Sequence, residues 1–168
     1  MSTAASDPST YKFNHTMFRI KDPKVSIPFY EKVLGMKTIR ESPSEAGKFT
    51  NYFLAFPSGF GNMELTDENM KANILNREGV LELCHNWGTE SDSGFKGYAS
   101  GNDEPGRGFG HICVTVDDLQ AACKRFEGLG VKFKKRPEDG MMRHIAFIYD
   151  PDGYWIEIVA RQLDARTL

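Results

Sequence analysis

The sequence predicts an α+β fold made of two βαβββ modules in tandem, because the chain repeats itself internally. Each repeat begins with His and reaches Asp seven residues later, and an aromatic residue, a Glu, a Gly and a Lys then follow in matching register once one residue is deleted. Three pairs of segments correspond in the same order: 15–22 with 111–118, 29–37 with 125–132, and 80–83 with 155–158. The 168 residues are therefore interpreted as two small units that share one core.

The first module begins with a segment over residues 13–20 that is apolar enough for a strand. The pair Asp22-Pro23 is typical of a helix start, since Pro lacks an N–H at a position where none is needed. An amphipathic stripe follows, and Gly35 is a plausible end for the helix. Two further strands of this module are predicted at about residues 48–56 and 80–84.

The second module repeats this plan after a strand that starts at the second His. Its helix is predicted to begin at Asp117 or Asp118 and to end at Gly128 or Gly130. An Asp-Pro-Asp-Gly tetrad over residues 150–153 is a strong hairpin turn between the last two strands. The strands after the helix are predicted at about residues 131–135, 144–149 and 154–160.

Segment boundaries follow from the repeat and from two looser stretches, the second of them rich in Gly, Ser and Asp. Loops this long in a compact domain are commonly functional covers or disordered insertions. The predicted organisation is a disordered lead at 1–10, a first module at 11–86 with an insertion at 57–79, a connecting loop at 87–108, a second module at 109–162 and a tail at 163–168.

Composition argues against two classes of partner. Lys and Arg number 21 against 23 Asp and Glu, so no basic field favours nucleic acid and no such partner is expected. The apolar runs are far shorter than the roughly 20 residues of a membrane span, so no membrane partner is expected. Three cysteines without a secretory signal are typical of free thiols in a reducing compartment, and the cytoplasm is the expected location.

Residues two apart in a strand share a face, so each module presents one His and one Glu opposite its helix-packing face. Taken singly, such a His is more often a satisfied core residue, and such a Glu usually lies on the wet face. Because both residue types recur at equivalent positions, they are interpreted as the ligands of one divalent metal: His15, Glu82, His111 and Glu157. Two imidazoles and two carboxylates suit zinc, and also nickel or cobalt.

The cysteines are a rival set of ligands, since Cys84 and Cys113 share these strand faces. Their spacing matches no CxxC pattern, and the first module has Met17 where the second has Cys113. Both thiols are therefore predicted to pack as small core residues, as is Cys123 in the helix stripe.

Several longer motifs carry a resemblance to a known family. They are His-Thr-Met-Phe-Arg-Ile-Lys-Asp-Pro at 15–23, Leu-Glu-Leu-Cys-His-Asn-Trp-Gly at 81–88, Gly-Arg-Gly-Phe-Gly-His at 106–111 and Asp-Pro-Asp-Gly-Tyr-Trp-Ile-Glu at 150–157. With these motifs the chain resembles the glyoxalase I (lactoylglutathione lyase) family of the vicinal oxygen chelate superfamily over about residues 11–162.

The resemblance implies a lyase that converts the hemithioacetal of methylglyoxal and glutathione to S-D-lactoylglutathione. It places the four metal ligands on the same two histidines and two glutamates. It also implies a homodimer, in which modules pair across the subunits into curved sheets enclosing one divalent metal per site. Zinc is favoured over nickel or cobalt, because the N-terminal extension and long loops are similar to those of the zinc-using members.

The implied reaction moves a proton between adjacent carbons through an enediolate. It needs a general base and a cation that stabilises two oxygens. Glu157 is the predicted base, with Glu82 as its counterpart, and the resemblance implies that Glu157 loosens from the metal when substrate binds. The alternative keeps both glutamates as permanent ligands and makes a water the base.

Glutathione carries two carboxylates and one ammonium, so its site needs local cations although the chain is slightly acidic. Arg19 shares a strand face with His15, and Arg107 lies among glycines that allow a ligand to approach closely. The family's loop before the penultimate strand often carries a Lys where this chain has Met141, and Arg143 or Met142 is expected to cover its role. With the positions that match the family, the predicted substrate contacts are Arg19, Asn86, Arg107, Lys135, Met142 and Arg143.

Two other functions remain open at this point. One is a drug-sequestration protein of the same superfamily, which would have no use for four metal ligands. The other is an extradiol dioxygenase, an iron enzyme whose two His and one carboxylate leave three positions open. The fourth ligand offered here argues against it.

Overall fold

A computed structural model describes residues 6–57 and 74–161 as two four-stranded mixed sheets, each with one main helix. The first module comprises β1 (His15–Ile20), α1 (Pro23–Phe29), a π-helical turn (Tyr30–Leu34), β2 (Lys37–Ser44), β3 (Phe49–Ala55) and β4 (Val80–Asn86). The second comprises β5 (His111–Val116), α2 (Leu119–Gly128), β6 (Phe133–Lys135), β7 (Ile145–Tyr149) and β8 (Trp155–Ala160).

The two sheets have the same topology, which confirms the predicted pair of βαβββ modules. Their strand orders are β1-β4-β3-β2 and β5-β8-β7-β6, and in each the first pair is parallel and the others are antiparallel. Even the registers correspond, since Met17 lies opposite Glu82 and Cys113 lies opposite Glu157.

The helical segment of the first module begins and ends where the sequence predicts, but α1 covers only its first part, and a π-helical turn completes it. Asp22 caps it, its side chain accepting from the Lys24 N–H at 2.8 Å, and Gly35 ends the helical segment with a φ of +79°. Pro28 lies inside the helix and has no N–H to donate, so the regular hydrogen-bond ladder is interrupted. The next five residues form the π-helical turn instead.

Strand β2 is absent from the strands that the sequence predicts. It lies at the edge of the first sheet and carries charged residues and Pro43, which an edge strand tolerates because one side of it needs no hydrogen bonds. The disordered lead is wrong in part, since Asp7 caps a turn of 3-10 helix at Pro8–Thr10. Residues 1–5, most of the insertion and the C-terminal tail lie outside the described residues.

One hydrophobic cluster joins the modules through both helices. Its strand members include Leu81, Leu83, Ile156 and Ile158, none more than 4% exposed, so these alternating residues form the helix-packing faces of the two sheets. Because side chains alternate across a sheet, the opposite face of each sheet points away from this shared core.

Polar contacts across the module boundary converge on the turn between β7 and β8. Asp150 accepts a hydrogen bond from the Tyr30 hydroxyl at 2.7 Å, and Asp152 accepts one from the Lys21 N–H at 2.6 Å. Two backbone N–H groups of the turn also donate to Asp150. Burial raises the pKa of Asp150 to about 7, and the Asp152 carboxylate adds to the rise while the Tyr30 hydrogen bond opposes it.

We expect Asp150→Asn to reduce the pH dependence of stability. The folded protein retains a proton on Asp150 that the unfolded chain releases above about pH 4, so this group makes folding less favourable as the pH rises from about 4 to about 7. An amide does not titrate there and can still accept the two backbone hydrogen bonds. Urea unfolding across this interval measures the effect, with exposed Asp117→Asn as the control. Equal slopes for Asp150→Asn and the unaltered chain would contradict it.

Candidate metal centre

Each module holds one His–Glu pair on the face turned away from the shared core. His15 Nε2 lies 3.0 Å from Glu82 Oε2, and His111 Nε2 lies 3.3 Å from Glu157 Oε2. Both histidine side chains are about two-fifths exposed, whereas the glutamate side chains are 11% and 22% exposed. The structure thus brings together each predicted His with the predicted Glu of its own module.

Strand register explains why the pairs form. In each sheet the first and last strands are parallel neighbours, and the Glu lies opposite the residue two positions after the His. His and Glu are therefore diagonal neighbours on one face, a distance that long side chains span easily.

The spacing within each pair fits two ligands of one divalent cation. Two ligand atoms about 2.1 Å from one ion lie roughly 3.0 Å apart at a right angle and roughly 3.4 Å apart at the tetrahedral angle. Separations of 3.0 and 3.3 Å fall within this range. Among the described residues no three His, Cys, Asp or Glu side chains converge, so within the single chain each pair stands apart from the other.

An aromatic ring flanks each pair, and sequence reasoning missed both rings. Phe53 meets His15 edge to face at 6.1 Å, and Phe147 meets His111 in the same way at 5.2 Å. Both Phe residues lie opposite the Glu of their own module. The sequence repeat alone does not identify these rings, because their place beside the histidines follows from the pairing of β3 with β4 and of β7 with β8. Their rings form an apolar wall beside the ionisable groups.

The cysteines are free thiols, as predicted. Cys84 and Cys123 are buried, but Cys113 is exposed, so its assignment to the core is wrong for the single chain. It lies on the outer face of β5 because it shares that face with His111. Partial desolvation and the neighbouring Glu157 carboxylate raise the pKa of Cys113 to about 11. The thiol therefore stays protonated near neutral pH in the metal-free chain.

Arg19 and Asn86 lie at the same end of the first sheet, beyond the His–Glu pair. Arg19 is exposed and lines a cavity of about 260 Å³ together with Met17, Tyr98 and Phe109. Asn86 ends β4, where its side chain accepts a weak hydrogen bond from Cys84 Sγ at 3.7 Å. Arg19 therefore lies beside a concave surface, and Asn86 is exposed at the end of its strand.

The remaining predicted contacts belong to the connecting loop and the second module. Arg107 is exposed, forms an ion pair with Glu104 at 2.8 Å and lines a separate cavity of about 560 Å³. Met142 and Arg143 are exposed in the loop between β6 and β7. Lys135 differs, because its ammonium donates to the carbonyls of three residues: Arg136, Met142 and Ile145. In the single chain it holds this loop in place, and its contact with a ligand stays a prediction.

The His-Asn-Trp-Gly motif folds into a turn held by a third His–Glu pair. His85 is buried and lies 2.8 Å from Glu90, which also accepts a hydrogen bond from the Gly88 N–H. These hydrogen bonds lower the pKa of the Glu90 carboxyl, although its own backbone N–H makes the largest contribution. The Trp87 indole donates to the Thr50 hydroxyl at 2.9 Å. The motif therefore fixes the chain that follows Asn86.

Gly101 is expected to be the least tolerant glycine of the connecting loop. Its φ is +84°, and a Cβ there would lie 2.1 Å from the carbonyl oxygen of Phe109. We expect Gly101→Ala to destabilise the protein by about 1–3 kcal/mol in urea unfolding. Gly97→Ala is the matched control, because Gly97 also has a positive φ but open space around it. Equal losses in the two variants would refute the clash.

Comparison with known proteins agrees with this architecture. Residues 12–158 match the family model described as the Glyoxalase/Bleomycin resistance protein/Dioxygenase superfamily. Lactoylglutathione lyase of Pseudomonas aeruginosa is 53% identical over 154 residues, covering 92% of this chain and 85% of that protein. Lactoylglutathione lyase of Schizosaccharomyces pombe is 50% identical, and the chain spans only 46% of its length. The solved structure of Leishmania major glyoxalase I has a TM-score of 0.64 at 29% identity and covers 89% of this chain and 86% of its own.

The fold and site together define a duplicated βαβββ protein with two His–Glu pairs suited to a divalent cation. The chain belongs to the Glyoxalase/Bleomycin resistance protein/Dioxygenase superfamily and, within it, to the family of lactoylglutathione lyases, also called glyoxalase I. The resemblance predicted from its motifs is thereby confirmed. No helix in the described parts of the chain is long and apolar enough to cross a membrane.

Proposed function

We propose that this chain is a lactoylglutathione lyase, which converts the hemithioacetal of methylglyoxal and glutathione to S-D-lactoylglutathione. One observation carries the proposal: two equivalent His–Glu pairs lie on matching strands of a chain about half identical to curated lactoylglutathione lyases. The same relatives argue against drug sequestration and extradiol ring cleavage. The free thiols fit a cytoplasmic location.

The four side chains would hold one divalent cation per site, zinc first, with nickel or cobalt as alternatives. When bound, the cation supplies positive charge that stabilises the negative charge developing on the two substrate oxygens. The four side chains offer imidazole nitrogens and carboxylate oxygens as ligand atoms. Within each module these atoms already lie at the spacing expected for two ligands of one ion.

A homodimer would complete the site. Each sheet packs its inner face on the shared core, so the two His–Glu pairs lie on faces directed away from it. We place the His15–Glu82 pair of one subunit against the His111–Glu157 pair of the other. Met17 and Phe109, both large apolar residues exposed in the single chain, would be covered by the same contact.

Glu157 would act as the general base. It removes the proton from the carbon that bears sulfur and returns it to the neighbouring carbon, while the hydroxyl proton passes to the former carbonyl oxygen. The isomerisation is redox neutral overall, so it needs no co-reactant. Glu157 is preferred to Glu82 because its side chain is more exposed and lies farther from its histidine, which leaves it freer to reach a substrate.

Glutathione would be held by side chains from the first sheet, from the connecting loop and from the loop between β6 and β7. Arg19 and Asn86 offer a guanidinium and an amide from the first sheet, and Arg107 offers a second guanidinium from the connecting loop. Met142 and Arg143 would contact it from the loop that Lys135 fixes in place.

Formation of the thioester tests the proposed function directly. The purified chain is mixed with methylglyoxal and glutathione, and the ultraviolet absorbance of the thioester is followed. We expect the signal to disappear after chelation and to return on adding zinc, nickel or cobalt. No thioester with any of these metals would refute the function. Oxygen consumption with a catechol is the test of the dioxygenase alternative, and none is expected.

A further inference from the structure

Asn14, the residue before β1, uses its whole side chain in hydrogen bonds. Its Nδ2 donates to the carbonyls of Ile74 at 2.7 Å and Arg77 at 2.8 Å. Its Oδ1 lies 2.7 Å from Nδ1 of His15. One amide therefore connects a candidate metal ligand to the segment that precedes β4.

These contacts determine which nitrogen of His15 carries the proton. Backbone carbonyls only accept hydrogen bonds, so the NH₂ group of Asn14 must face Ile74 and Arg77. Its oxygen then faces the imidazole and can only accept, so Nδ1 of His15 is the donor. In the neutral ring the free electron pair is consequently on Nε2, the atom 3.0 Å from Glu82 Oε2.

The supporting segment is itself anchored. Ile74 is 6% exposed and packs in a small hydrophobic cluster with Val80, which lies opposite His15 in the sheet. The backbone of Asn14 adds a further link, because its carbonyl accepts from the Val80 N–H at 3.0 Å. The amide is thus held from both sides, which fixes the orientation of the ring.

Among the described residues, the second module has no equivalent of this arrangement. Gly110 precedes His111 and has no side chain to offer, and its carbonyl accepts from Asn102 Nδ2. The segment that supplies the two carbonyls belongs to the long β3–β4 connection, whereas a short turn joins β7 to β8. The contact is a particular feature of the first module.

We propose that Asn14 is a positioning residue that holds His15 in the Nδ1–H tautomer, so that Nε2 is available to the metal. The inference rests on the proposed function, because it takes His15 as a ligand. Removing a hydrogen-bond partner of a metal-binding histidine typically weakens metal affinity by about 10–100-fold. Asn14→Leu is expected to show a loss of this size.

The test compares zinc affinity with stability in the full-length chain. Metal is removed by chelation and zinc is titrated back against a chromogenic competitor, while urea unfolding of the metal-free protein gives stability. Asn14→Asp keeps the acceptor for His15 but loses both donors to the carbonyls, so it should lose stability and keep zinc affinity within a few-fold. Lys12→Met is the matched control, since Lys12 binds the carbonyl of Asn76 in the same segment without touching His15. Its zinc affinity should be unchanged.

Two results would overturn the inference alone. One is unaltered zinc affinity in Asn14→Leu. The other is an equal loss of affinity in Asn14→Asp and Asn14→Leu that follows their loss of stability, which would make the residue merely structural. Failure of the unaltered chain to bind zinc, nickel or cobalt would instead reject the metal site of the proposed function, and the inference with it.

Discussion

Replacing Glu157 by Gln is expected to lower turnover by about 10²–10⁴-fold while much of the metal stays bound. An amide keeps an oxygen that can contact a cation, but it cannot accept a proton from carbon. The measurement pairs the rate of thioester formation with the metal content of the same preparation. Glu45→Gln, an exposed carboxylate far along the chain from either pair, is the surface control and should behave like the unaltered chain.

The pseudo-symmetric variant Glu82→Gln makes this comparison sharper. Glu82 occupies the same register position in the first module but is more buried and closer to its histidine. We expect Glu82→Gln to lose more metal affinity than Glu157→Gln, because Glu82 is proposed to be a fixed ligand. Normal turnover by Glu157→Gln would sink the assignment of the base and favour a water in that role.

The second large effect is complementation between two inactive variants. One carries His15→Ala with Glu82→Ala, and the other carries His111→Ala with Glu157→Ala. Each alone lacks half of every site and is expected to be inactive. In a mixed dimer whose sites lie between subunits, one site loses all four ligands and the other keeps all four. Random pairing should then restore roughly a quarter of the activity, because about half of the dimers are mixed and each has one intact site of two.

Two affinity tags make this experiment decisive. Co-expressed chains are purified over both tags in turn, so that only mixed dimers remain, and their activity is compared with that of either variant alone. Mixed dimers without activity would place each complete site within one chain. Failure to recover any doubly tagged species when two differently tagged copies of the unaltered, active chain are co-expressed would reject the dimer itself.

Much of the fold could be predicted from the sequence, because local sequence patterns specify its elements and these patterns occur in both modules. Neighbouring residues in the sequence specify several features: the alternation of Ile156 and Ile158, the Asp22-Pro23 helix start and the turn before β8. Because the chain is duplicated, a pattern found in one module supports the same prediction in the other. Strand β2 was not predicted, because an edge strand does not need alternating apolar residues.

Less of the candidate site could be predicted from the sequence. His and Glu recur at matched positions, so the repeat identified all four ionisable groups and their shared faces. The engagement of Lys135 with three carbonyls, the exposure of Cys113 and the rings of Phe53 and Phe147 depend on strands that are distant in sequence. No local pattern specifies such contacts.

The sequence by itself determined that this is a duplicated protein of near-neutral charge with one His and one Glu at equivalent places in each half. Tertiary structure decided that each His lies beside the Glu of its own module, and that the two pairs lie on faces directed away from one shared core. The physical reason is that periodicity and turn chemistry act over a few residues, whereas register and face are set by which strands hydrogen-bond and where the apolar surfaces meet.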